Sequence, residues 1–164
     1  MSPTAKDPVK TKFLAACRSG DLEYVNVLLS RGVDVDNTDD EALGWTGLHQ
    51  AARGGHLAVV EVLIEKGADL NPRAKLGLLT PVYAAVINSQ VETALGLISR
   101  GADVLLTTDR GETLLQEAAR KGLGEVVEEL LRKKVYVNEK DNKGSTALGR
   151  RSLSVLIKVY IEKN

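Results

Sequence analysis

The amino-acid sequence predicts an all-α repeat solenoid, and three observations carry that prediction. A threonine-centred segment recurs: "GWTGLHQAARGG" at 44, "GLLTPVYAAVINS" at 77, "GETLLQEAARKG" at 111 and "GSTALG" at 144. Its threonines, Thr46, Thr80, Thr113 and Thr146, are spaced by 34, 33 and 33 residues, and "TKFLAACRSG" opens an earlier copy at Thr11. A fixed period in this range is the mark of stacked units that cannot bury their apolar faces singly. The first four copies each continue into a second apolar segment: "DLEYVNVLLSRGVDVD", "HLAVVEVLIEKGADLN", "QVETALGLISRGADV" and "LGEVVEELLRKKVYVN". Aromatic residues are scarce, with four tyrosines, one phenylalanine and one tryptophan. The core must therefore come from Leu, Val, Ile and Ala, which favours closely packed helices over an aromatic-paired sheet.

Each element follows from local chemistry. Residues 1–9, "MSPTAKDPV", are polar and proline-punctuated, and are expected to form a flexible lead rather than a signal peptide. "KTKFLAACRSGDLEYV" reads as an N-terminal capping unit within a first repeat at about 10–39. The second repeat, about 40–73, shows the unit most clearly. Leu48, Ala51 and Ala52 at helical spacing predict a first helix of about two turns, its alanines small enough for neighbouring helices to approach. Leu57, Val60, Leu63 and Ile64 then share one face of a second helix, with Glu61 and Glu65 among the intervening residues. Gly67 predicts a left-handed stop, after which "ADLN" extends and the chain turns back at Gly77. Repeats at about 74–106 and 107–139 repeat this plan. Residues 140–164 form a shortened copy that passes into one helix, with Lys158, Glu162 and Lys163 on a polar outer face. It reads as a C-terminal cap, and a cap at each end predicts a self-contained stack in a single domain, 10–164.

The frame "GWTGLHQAARGGHLAVVEVLIEKGADLN", with "GADV" and "DNKGSTAL" in register, resembles the ankyrin repeat over about residues 10–162. That resemblance implies helix–turn–helix units joined by hairpin fingertips, with a concave surface formed by the first helices. It also implies that the threonine and His49 bond the turn backbone. Two departures are length changes in the hairpin, two extra residues before Gly44 and one between Asn71 and Thr80, where loops tolerate insertions. A third is Lys134, which stands where other units carry Gly32, Gly67 or Gly101. A left-handed lysine there would cost about 1 kcal/mol.

Composition excludes several function classes. Acidic and basic residues balance at 22 each, so no bulk field draws the chain to nucleic acid or an anionic membrane. No apolar run approaches the roughly 18 residues of a membrane span. The single cysteine, Cys17, cannot form an internal disulfide, which suits a cytoplasmic or nuclear protein. Chemistry is also poorly served. Tyr83 and Gln116 occupy the His49 slot in later copies, His56 opens a second helix, and Cys17 replaces Ala52 as a small core residue. No set of metal-ligating residues converges in the sequence, and Gly122 and Gly124 lack the third glycine and leading strand of a dinucleotide loop. The chain is read as non-enzymatic, with no cofactor and no metal.

Positions that the frame leaves free are candidates for binding a protein partner. At the fingertips these are Leu43, Trp45, Leu76, Leu78, Arg110 and Glu112, and in the groove Gln50, Arg53, Asn88, Glu117, Arg120 and Lys121. Trp45 is the sharpest, because no core role requires tryptophan in that slot, and exposed Trp and Arg are enriched at hot spots; the alternative is that its ring folds onto the adjacent hairpin. Leu43, Trp45, Leu76 and Leu78 predict one apolar stripe over two neighbouring tips, or else mutual burial of the longer loops. Leu105 and Leu106 extend either arrangement. "GRRSLS" resembles a basophilic kinase site at Ser154, and "LIEKGADLN" resembles ankyrin segments hydroxylated on the final asparagine, here Asn71. In the folded loop that asparagine more simply bonds its own turn. The expected function is a monomeric protein-interaction adaptor. The alternative is a targeting or chaperone-like module that holds apolar client segments.

Overall fold

A computed structural model describes residues 7–39 and 43–147 of the 164-residue chain. Among the described residues the regular elements are eight α-helices in four consecutive pairs: α1 (Pro8–Ser19) with α2 (Leu22–Ser30), α3 (Gly47–Gly54) with α4 (Leu57–Glu65), α5 (Pro81–Ile87) with α6 (Val91–Ser99), and α7 (Leu114–Lys121) with α8 (Gly124–Arg132). The first helices pack in series, α1 on α3 on α5 on α7, and the second helices do the same. Two helical layers result, with one hydrophobic core running between them from Phe13 to Ala147. This is the stack that the repeat period predicts. Helix α1 starts at Pro8, inside the segment expected to be flexible, because Asp7 accepts from the Val9 amide at 2.9 Å and proline suits the first turn. The lead before Asp7 and the cap helix after Ala147 lie outside the described residues.

The helices begin where side chains satisfy the first-turn amides. Thr46, Thr80 and Thr113 each accept from the amide three residues on, at 3.4, 3.4 and 3.1 Å. In two repeats the residue at that third position reciprocates. His49 Nδ1 accepts from the Thr46 amide and Gln116 Oε1 from the Thr113 amide, which closes a capping box. The second helix of repeat 2 buries Val59, Val60 and Leu63, while Leu57 and Ile64 are half-buried. Val60 and Leu63 of the expected face are fully buried and Ile64 packs against the core, with Val59 added and Leu57 at the margin.

Two kinds of backbone position call for glycine, a close helix approach and a left-handed turn. A Cβ at Gly47 would lie 2.9 Å from Cys17 Sγ and 3.0 Å from Phe13, so α1 approaches α3 closely at that point. Gly32, Gly67 and Gly101 end their second helices at φ 85, 89 and 93°, and Lys134 takes the same left-handed turn at φ 58°. The hairpins link unit to unit. Lys75 donates its amide to the Leu43 carbonyl (2.8 Å), Asp109 to Gly77 (3.2 Å) and Asn142 to Arg110 (3.0 Å). The Asp36 carboxylate accepts from the Asp69 amide at 3.1 Å, and Asn71 Oδ1 accepts from the Asp103 amide at 2.7 Å.

Candidate interaction surface

His49 is fully buried in α3, with Nδ1 accepting from the Thr46 amide and Nε2 donating to the Leu79 carbonyl at 2.9 Å. Those two bonds define one tautomer. Burial pushes the imidazole pKa below its usual 6.5, opposed by the Leu79 hydrogen bond. The equivalent Tyr83 hydroxyl donates to Thr113 (3.4 Å), and Gln116 Nε2 donates to Glu139 (2.9 Å) and Ser145 (2.7 Å). His56 Nε2 donates to the Arg18 carbonyl at 3.0 Å, again across units. The two histidines and their counterparts are tethers between repeats. Cys17 is buried in the core, where desolvation pushes its thiol up to about 12 and keeps it protonated. Among the described residues no group of three or more metal-ligating side chains comes together.

Trp45 takes the folded-in alternative. Instead of standing exposed at the fingertip, it is 6% exposed and forms a small second core with Ala74 and Ala84, flanked by Leu43 and Leu79. The ring stacks on His49 (centroids 5.5 Å apart, planes at 29°), and the Arg53 guanidinium lies 5.8 Å from its centroid. The next unit decides this. Ala84 occupies the slot held by Gln50 in repeat 2 and Glu117 in repeat 4, and its small side chain leaves room for the indole. The four-residue apolar stripe is therefore not formed. Leu43 folds inward with Trp45, whereas Leu76 is 66% exposed and Leu78 is exposed at a left-handed φ of 52°. Leu105 is also exposed and Leu106 half-buried.

The groove candidates divide in the same way. Gln50 and Glu117 are buried rather than open. The Glu117 carboxylate accepts from Arg120 Nε at 2.8 Å and also from its Nη2. This hydrogen bond, reinforced by the carboxylate charge, raises the Arg120 pKa further above its ordinary value. Asn88 is exposed and its amide Nδ2 donates to the Ala84 carbonyl at 2.8 Å, closing α5. Arg53, Arg110 and Arg120 are exposed; Glu112 and Lys121 are half-buried. Asn71 does not bond only its own turn: its side chain reaches the next loop at Asp103. Ser154 lies outside the described residues. Sequence reading missed the exposed Tyr136, which replaces the aspartate of the loop, and the role of Ala74 and Ala84 under the indole. A small residue in a slot otherwise filled by Gln or Glu was the available signal for the latter.

The family model described as ankyrin repeats in three copies matches residues 13–108, and a further single-repeat match covers 110–142. The human BCL-6 corepressor-like protein 1 is 35% identical over 114 residues, 70% of this chain and 6% of that protein. The palmitoyltransferase AKR1 of Lachancea kluyveri is 35% identical over 112 residues, 68% of this chain and 15% of that protein. The chain thus spans only a small fraction of either relative's length. Among the described residues no helix is long and apolar enough to cross a membrane.

Proposed function

The chain belongs to the ankyrin-repeat family, and from that premise we propose that it is a non-catalytic interaction module that holds a partner protein at its hairpin tips and first-helix face. The observation that carries this reading is the third-repeat fingertip. Leu76 is 66% exposed beside Leu78, whose left-handed backbone, φ 52°, is unfavourable for a leucine by about 1–2 kcal/mol. An apolar residue held exposed against its backbone preference adds nothing to folding and suits a contact site. Balanced charge supports a protein partner over nucleic acid, and the single buried thiol supports a reducing compartment, cytoplasmic or nuclear.

The test compares partner capture from a native extract by the wild type and by Leu76→Ser with Leu78→Gly. Glycine relieves the left-handed strain, so the double variant stays folded. A stoichiometric partner retained by the wild type and lost by the variant is the expected result; identical capture by both overturns this surface. Retention of many unrelated apolar segments would mark a client-binding module instead.

A further inference from the structure

Two buried side-chain polar atoms among the described residues have no hydrogen-bond partner, and both lie at the start of α3: the donor Trp45 Nε1 and the acceptor Gln50 Oε1. Their residues are 6% and 9% exposed. Unmatched buried groups are uncommon in settled interiors, and apolar side chains of similar shape would fill both positions without that penalty. Immediately above the indole lies Arg53, exposed and without an ion pair among the described residues. Arg18 occupies the same register on α1, the helix packed against α3, and is likewise exposed and unpaired. Arg120 has this register too, but Glu117 already engages it. Repeat 2 thus carries an exposed cation over an unmatched donor, with an unmatched acceptor on the same helix and a second exposed cation at the same register of the neighbouring helix.

We propose that this face holds an extended acidic segment of the partner protein. A main-chain carbonyl of the segment accepts from Trp45 Nε1, a main-chain N–H donates to Gln50 Oε1, and acidic side chains pair with Arg18 and Arg53. The unmatched acceptor selects a peptide over a phosphate backbone, which has no N–H to offer, and the arginines select acidic over basic side chains. Arg53 lies over the ring in the free chain and is itself exposed. This inference rests on the reading of the chain as a protein-binding module and specifies the chemistry of the segment it takes.

The chain has one tryptophan, so it has one indole N–H resonance to follow. The full ¹⁵N-labelled chain is titrated with a blocked peptide of alternating glutamate and glycine, with its lysine counterpart, and with an oligothymidylate of matching charge. A saturable shift of the indole signal with the glutamate peptide alone is expected. Arg53→Gln should then weaken that binding about tenfold. Gln50→Met should raise the melting midpoint yet weaken binding severalfold, a split that a merely structural glutamine would not produce. A stationary indole signal, an equal response to the lysine peptide or oligothymidylate, or unchanged affinity in Gln50→Met overturns the proposal. If the indole does not respond while capture still depends on Leu76 and Leu78, this inference falls and the protein-binding reading stands.

Discussion

The His49 imidazole donates from Nε2 to the Leu79 main-chain oxygen across 2.9 Å, so a side chain of repeat 2 holds the hairpin that enters repeat 3. Gln116 makes the same kind of tether onto Ser145 at 2.7 Å. Chemically different residues perform one task because each offers a donor at the same reach, while His49 and Gln116 also accept from the threonine amide.

That relationship has a pH consequence. The folded His49 pKa lies below the usual 6.5, so the unfolded chain binds the extra proton first as the solution is acidified. Stability from this residue is complete above 6.5 and falls as pH drops toward the folded value. Protonation would also set a second N–H against the Thr46 amide. His49→Gln should keep the tether, as Gln116 does, and flatten the pH dependence of the melting midpoint in that window. His49→Ala should destabilise by about 2–4 kcal/mol at neutral pH. Thermal unfolding across a pH series checks both, and an unchanged slope in His49→Gln would refute the assignment.

Lys134 adopts the left-handed turn that three glycines make in the earlier units. Lys134→Gly should raise stability by about 1 kcal/mol, with Lys134→Ala giving no such gain. Denaturant unfolding separates the two, and a clear decrease for glycine would show that the lysine side chain contributes something its backbone strain conceals.

Trp45 fills space between two repeats, so Trp45→Ala should act first on stability. Loss of the indole from its contact with Ala74 and Ala84 predicts a deficit of about 3–5 kcal/mol. A variant as stable as the wild type, measured by urea unfolding, would mean that the ring is not packed there.

Among the described residues the loop bonds Asp36–Asp69 and Asn71–Asp103 have no successor, because Leu105 stands at the next acceptor position of that series and Tyr136 at the next donor position. Leu105→Asn should add the missing acceptor and stabilise by about 0.5–1 kcal/mol. Asn71→Leu should remove the existing bond and lower stability by a similar amount. Hydrogen exchange at the Tyr136 and Asp103 amides reads each change directly, with slower exchange expected for the first and faster for the second.

The sequence by itself determined the repeat period, the helix pairs, the threonine starts, the core role of Cys17 and the left-handed turn at Lys134. These depend on residues close along the chain and on a pattern repeated four times. Tertiary structure alone decided which tip residues face outward. Leu43 and Trp45 turn inward and Leu76 stays out because burial depends on what the next unit presents some thirty to forty residues later, Ala74 and Ala84 beneath the indole. The bond from Asn71 to Asp103, and the two unmatched atoms at Trp45 and Gln50, depend in the same way on contacts that no single repeat contains. Local chemistry makes each unit, and the side chains of adjoining units determine what its surface offers.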